Sequence, residues 1–261
     1  MSVAVVISSC DPFEDCWNPF IYSLKSNWEK SNFEVYFISN EKEIEDERVH
    51  FIKVGKDKGW ASNLKKALSQ IDSEYIFYLQ EDYFLTSTIS DKIIEEHIEF
   101  MLRNDADYLR LSAPFYDLYQ IEDSSYSYSP LTERYALCLQ AAIWKKSALL
   151  RILIEGNSGW DFEYNIIDYI KKESIYVKSF VLHSSAFRSH GISYVDGTAV
   201  RKGKWTVAGA DFLERNGFCK LLQSRKKEGS VINFLMHRKN PLVHPFAAVL
   251  LRAINHYRLN F

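Results

Sequence analysis

No apolar run in the 261 residues approaches the roughly 20 needed to cross a bilayer, so the chain reads as soluble or peripheral to a membrane. Cysteine is scarce. The four present, Cys10, Cys16, Cys138 and Cys219, form no C-x-x-C pair, which removes a zinc cluster and a dithiol redox centre. Met1 runs directly into the apolar Val3–Ile7 without a charged leader, and scattered thiols behind such a start imply a cytoplasmic location. The residues after that first apolar run, Ser8-Ser9-Cys10-Asp11-Pro12-Phe13, contain no G-x-G-x-x-G, which excludes a Rossmann dehydrogenase. They also lack the glycines, Arg and Lys of an activating loop in a sugar nucleotidyltransferase. A large excess of either charge is missing too: the net charge of −2 gives no field for nucleic acid, and no nucleic-acid partner is expected. Internal repeats and low-complexity linkers are absent.

What is there is an alternation of strand-like and helix-like segments. Val3–Ile7, Val35–Ile38, His50–Val54 and Tyr75–Leu79 are short, nearly continuous apolar runs, the pattern of strands covered on both faces. Between them, Trp17–Glu29 and the segment opening at Gly59 carry apolar residues at helical spacing. Crossovers of this kind imply a mostly parallel sheet flanked by helices. A helix over Ile89–Leu102 capped by Ser90, a strand over Tyr108–Leu111, a strand over Tyr135–Trp144 and a helix over Ser147–Ile154 continue the series. The Tyr-, Ser- and Asp-rich 113–133 stretch reads as a long irregular loop.

Open parallel sheets bind ligands at the carboxyl ends of their strands. Ser8, Ser9 and Asp11 follow the first strand; Lys56, Asp57, Lys58 and Gly59 follow the third; Gln80-Glu81-Asp82 follows the fourth. Two acids ending a buried strand call for a cation, and a Mg²⁺ or Mn²⁺ ion carrying a diphosphate suits their hard oxygens.

The stretch Gly59-Trp60-Ala61-Ser62-Asn63 through Tyr75–Tyr83 resembles the nucleotide-binding half of GT-A glycosyltransferases, particularly those of bacterial surface-polysaccharide and lipopolysaccharide synthesis. The resemblance covers roughly residues 1–205. It implies that Gln80-Glu81-Asp82 stands where the family has D-x-D, with Gln80 in the first Asp position, so that Asp82 carries the metal. It further implies donor contacts from Ser8, Ser9, Asp11, Asp57, Lys58, Asn63, Gln80 and Glu81. Gln140–Lys146 and Gly159-Trp160-Asp161-Phe162-Glu163 look like the acceptor half, with Trp144 and Trp160 against the acceptor and Glu163 or Asp161 as base. Asp161 has a competing role as a helix cap, which favours Glu163. In Phe187–Tyr194, His190 is the candidate to complete the metal shell, with His183 as the other choice. Arg201, Lys202 and Lys204 are candidates to offset charge on the leaving diphosphate.

From Lys220 onward, eight basic residues stand against the single acid Glu228. Together with Phe234, Leu235, Phe246, Val249, Leu250, Leu251 and Ile254 they suit an anionic membrane surface or, equally, helices packed back on the domain. The expected organisation is a GT-A domain over 1–218, divided near 110 into nucleotide-sugar and acceptor halves, then a basic helical extension over 219–261. The expected activity is an inverting transfer of a hexose or N-acetylhexosamine from a nucleotide diphosphate sugar, of which UDP is the leading nucleotide, to a saccharide or lipid-linked saccharide. A catalytically inactive scaffold or carbohydrate-binding component on the same fold is the alternative, favoured by Gln80.

Overall fold

The computed structural model describes residues 2–112, 125–132, 135–195 and 197–229. The chain divides into two compact units, Met1–Tyr194 and Val195–Phe261.

In the first unit a single sheet takes the order β3-β2-β1-β4-β7-β5-β8-β6. Its first four members are β1 (Val3–Ser8), β2 (Glu34–Ser39), β3 (Val49–Lys53) and β4 (Tyr75–Gln80), all mutually parallel. Beyond β4 comes β7 (Ala142–Lys145), antiparallel to both β4 and β5 (Tyr108–Arg110). Next to β5 lies β8 (Ser179–Leu182), parallel to it, and β6 (Tyr126–Tyr128) closes the edge antiparallel to β8. Thus six strands run one way, while β7 and β6 oppose them. The carboxyl ends of β1, β2, β3 and β4 gather along one edge.

Helices cover both faces, as the continuous apolar strands require. Helix α1 (Glu14–Asn27) lays Trp17 and Phe20 on Phe37 of β2, with ring centres 5.6 and 5.9 Å apart. Helix α3 (Asp91–Arg103) buries Ile94, Ile98 and Met101, and its Ser90 cap accepts from the Ile93 N–H. On the opposite side, α2 (Trp60–Leu68), α4 (Lys146–Ile152) and α5 (Gly159–Lys172) share one core. There Leu64, Leu68, Leu149, Phe162 and Ile166 pack on Val6, Ile76, Tyr78 and Trp144 of the sheet.

The start of α2 explains its Gly-x-x-x-Asn pattern. Gly59 sits at φ 89°, ψ 154°, a region essentially reserved for glycine, and a Cβ there would stand 2.9 Å from the Gly156 carbonyl oxygen. Close approach lets the Ala61 N–H reach the Asn157 carbonyl at 3.0 Å, docking α2 against the turn that leads into α5.

Residues 135–141 differ from the expected long strand: only Ala142–Lys145 joins the sheet. The cause lies at Leu139, whose N–H and carbonyl are bonded to the side chains of Glu163 and Tyr83 rather than to a neighbouring strand. Residues 113–124 of the expected loop lie outside the described residues, and β6 and β8 supply strands that the apolar pattern did not reveal.

The second unit contains a small hairpin, β9 (Val200–Arg201) with β10 (Lys204–Trp205), then α7 (Val207–Arg215). Thr206 caps α7 by accepting from the Gly209 N–H. Buried Trp205 donates its indole N–H to the Leu221 carbonyl at 3.1 Å. Most of the expected basic extension, residues 230–261, lies outside the described residues, including every apolar residue assigned to a membrane face. Among the described residues no helix is long and apolar enough to cross a membrane.

Candidate active site

At the carboxyl end of β4 the Tyr78 hydroxyl is a hub. It accepts from the Trp60 indole at 3.1 Å and from Gln80 Nε2 at 3.2 Å, and it is also bonded to the Ser8 side chain. Ser8 and Gln80 are register partners on β1 and β4, so the two predicted donor residues stand side by side. The next two residues, Glu81 and Asp82, are only 7% and 6% exposed. Paired carboxylates removed from water at a strand end carry a large desolvation cost unless positive charge or donors meet them.

Tyr83 continues the turn inward. Its hydroxyl donates to the Leu139 carbonyl at 2.9 Å and accepts from Gln140 Nε2 at 3.3 Å. Its ring stacks on Tyr194, with centres 4.4 Å apart and planes 13° from parallel. Tyr194 is held there by a β-bridge to Leu85, and its hydroxyl donates to Gln140 Oε1. Burial pushes both phenols well above their ordinary range.

Glu163 enters the same region from α5. Its Oε1 accepts the Leu139 N–H at 2.7 Å, so Leu139 is gripped by Glu163 on one side and Tyr83 on the other. This residue thereby ties the first turns of α5 to the end of β4. Burial raises the Glu163 carboxyl above the usual range, against the opposing pull of the Leu139 N–H. A carboxylate tuned upward in this way is a stronger base when ionised. Asp161, two residues earlier, is the N3 member of a capping box: its Oδ2 accepts from the Ser158 N–H at 2.9 Å, and those bonds lower its pKa. Asp161 is therefore a helix cap, which corrects its candidacy as base.

Several predicted donor residues hold loops together. Asp11 Oδ1 accepts from the Asn40 N–H at 2.9 Å and Oδ2 from the Glu41 N–H at 3.1 Å, which clips the β1 loop to the β2 loop. Ser9 Oγ accepts the Trp17 indole N–H at 2.8 Å. Asp57 Oδ1 accepts from Gly59 N–H and Asn63 Nδ2, and Asn63 Oδ1 accepts from Lys58 N–H, so these three residues build the approach to α2. Of this group, Ser8, Gln80, Glu81 and Asp82 stand at the strand end itself.

Three other expectations are corrected, those for Trp144, His190 and His183. Trp144 is fully buried, its ring 4.3 Å from Tyr108 in the core under α5, and cannot touch an acceptor. His190, the last residue of the short α6 (Phe187–His190), sits by α3: its Nε2 is 3.8 Å from Glu96, and its carbonyl accepts from His97 at 2.8 Å. Among the described residues His190 does not join Glu81 and Asp82 in a group that could hold a metal, and its contacts lie beside His97 and Glu96. His183, the other candidate ligand, caps the turn after β8. Arg201 in the second unit pairs with buried Glu228 at 2.9 Å, whereas Lys202 and Lys204 are exposed on the hairpin turn.

Among the described residues no group of three or more His, Cys, Asp and Glu side chains is gathered to hold a metal by itself. The donor set of Glu81 and Asp82 nonetheless fits Mg²⁺ or Mn²⁺, which take one or two carboxylates and complete their shell with water and substrate phosphates.

Tyr83, Leu139, Gln140 and Tyr194 were not singled out in the sequence as site residues. Tyr83, Gln140 and Tyr194 did lie within the motif stretches named above, whereas Leu139 carried no signal. Trp160 is 62% exposed, at the start of α5.

No family model and no curated protein sequence matches the chain. Among solved structures, S. aureus TarS 1-349 in complex with UDP-GlcNAc is similar over 90% of this chain and 70% of that one, at 13% identity and a TM-score of 0.51. Another S. aureus TarS 1-349 structure aligns over 75% of this chain at 13% identity and a TM-score of 0.48; there the chain spans 61% of the other's length. A cytidylyltransferase from Leptospira borgpetersenii aligns at 16% identity and a TM-score of 0.39, over 67% of this chain and 72% of that one. The mostly parallel sheet with helices on both faces is the GT-A fold expected from the sequence.

Proposed function

We propose that the protein is a glycosyltransferase that moves a hexose or N-acetylhexosamine from a nucleotide diphosphate sugar, with UDP the favoured nucleotide, to a saccharide acceptor in bacterial surface-polysaccharide or lipopolysaccharide synthesis. The observation that carries this reading is the convergence on Leu139. Tyr83, directly after the buried acids at the end of β4, and the upward-shifted Glu163 of α5 are both bonded to that residue. A structural neighbour of the same fold is recorded with UDP-GlcNAc, which supports the choice of donor class.

In this reading an acceptor hydroxyl oxygen attacks the anomeric carbon of the donor. The bond from that carbon to the diphosphate oxygen breaks, and the nucleoside diphosphate leaves with the electron pair. Glu163, through its second oxygen, takes the proton of the attacking hydroxyl. Attack opposite the leaving group inverts the anomeric centre. Ser8 and Gln80 line the donor side, oriented by Tyr78. Asp82, with Glu81, would hold a Mg²⁺ or Mn²⁺ ion, whose charge offsets that of the diphosphate.

Turnover tests this reading. Incubating the protein with UDP-GlcNAc, UDP-glucose and UDP-galactose, each with Mn²⁺ and a mixed oligosaccharide pool, should release UDP from one donor. Glu163→Gln should lower kcat by about 10²–10⁴-fold while UDP still binds. Release of UDP at the wild-type rate by Glu163→Gln would remove Glu163 as base. Nucleotide-sugar binding with no transfer to any acceptor would favour the inactive carbohydrate-binding alternative, to which Gln80 already points.

A further inference from the structure

Helix α5 carries a second chemical feature on its outer side. Trp160 and Tyr164, four residues apart, are 62% and 41% exposed, and their rings lie 6.3 Å apart with planes 34° from parallel. Residues at i and i+4 share one helix face, so the rings form a continuous aromatic surface. Tyr135 buttresses it, its ring edge-on to Tyr164 at 5.9 Å. Glu163, the proposed base, precedes Tyr164 directly. The surroundings are just as informative. Residues 155–170 contain no Lys or Arg, while Asn157, Asp161, Asn165 and Asp168 flank or follow the two aromatics in sequence. Asn165 and Asp168 are exposed, and Asp161 keeps its charge to low pH through its cap bonds.

From this we infer that Trp160 and Tyr164 form an acceptor subsite that stacks two consecutive pyranose rings of a neutral oligosaccharide. Resting on the glycosyltransferase reading, it names the acceptor class and the element that presents it. Aromatic faces take up the apolar C–H faces of sugar rings, and amide and carboxylate side chains beside them suit sugar hydroxyls. The same acids repel a polyphosphate. A nucleic acid or an anionic lipid surface, either of which also uses exposed aromatics, would require cations that this stretch of α5 lacks. The platform and Glu163 are carried by the same first turns of α5, Glu163 turned inward onto Leu139 and the two rings outward.

The test uses the emission of Trp160 itself. Trp17, Trp28, Trp144 and Trp205 are all buried to within 1%, and Trp60 is partly buried against Phe162, so water-exposed indole emission comes from Trp160. Titration of the full chain with cellotetraose, maltotetraose and chitotetraose should quench or blue-shift that emission with one of them. Trp160→Ala should abolish the response and Tyr164→Ala weaken it at least 5-fold, while Trp160→Tyr restores part of the affinity by calorimetry. UDP binding, measured in parallel, should be unchanged in all three variants. No response to any tetrasaccharide in a wild-type protein that binds UDP overturns the platform and leaves the donor reading standing. Saccharide binding without UDP binding keeps the platform and removes the transferase reading. Concentration-dependent self-association lost in Trp160→Ala, without saccharide binding, would overturn the proposal in favour of a contact between copies of the chain.

Discussion

A single backbone residue, Leu139, joins the two halves of the chemistry, because its N–H and carbonyl are satisfied by side chains rather than by a strand. Glu163 fixes Leu139 through one oxygen, and in the proposed reaction the other takes the acceptor proton. Since burial raises its pKa, transfer should fall as pH drops through a value above the ordinary carboxylate range, and the loss should track protonation of one group. A pH–rate profile of kcat/KM measures this; an acid limb unchanged in Glu163→Gln would contradict it. His97 gives a second pH effect, on stability. It is fully buried, with Nδ1 2.9 Å from the Tyr126 hydroxyl and Nε2 facing the His190 carbonyl at 2.8 Å, a pairing that fits the neutral ring. Burial depresses its pKa to about 4 from 6.5. The unfolded chain therefore binds this proton first. Stability contributed by the neutral ring is complete above pH 6.5 and is lost as pH falls toward 4, an effect of about 3 kcal/mol in total. Urea midpoints should fall across that window in the wild type and less steeply in His97→Gln.

At the level of elements, the starts of α2 and α5 decide the geometry of the site. Gly59→Ala combines a backbone region closed to side chains with a contact on the Gly156 carbonyl, and should cost about 1–3 kcal/mol in chemical denaturation. Ser158→Ala removes the cap of α5 and should cost about 1 kcal/mol, displacing Glu163 enough to raise the acceptor KM. The strands of the parallel half were legible in the sequence because each is buried on both faces and reads as an unbroken apolar run. The Ser90 cap and the ambiguity of Asp161 were legible for a similar local reason: capping chemistry acts within four residues. The region around Leu139 was not, since 135–144 has the composition of a strand and nothing local announces that Tyr83 and Glu163 take its hydrogen bonds. Trp144 and His190 failed for the complementary reason. Their residue types suit a site, but burial under α5 in one case and a place beside His97 in the other are set by contacts distant in sequence.

For the molecule as a whole, the GT-A sheet collects Ser8, Gln80, Glu81 and Asp82 at one edge, and α5 brings Glu163 to them through Leu139. The Arg201-to-Lys204 hairpin belongs to the second unit, where Arg201 pairs with Glu228. The most direct test is calorimetric titration of UDP, GDP, CMP and dTDP into wild type and Asp82→Asn, each with Mn²⁺ and then with EDTA. One diphosphate, UDP foremost, should bind with Mn²⁺ and weaken at least 10-fold in EDTA and equally in Asp82→Asn. Binding unaffected by EDTA and by Asp82→Asn would contradict the metal assignment, and no binding of any nucleotide would contradict the donor site itself.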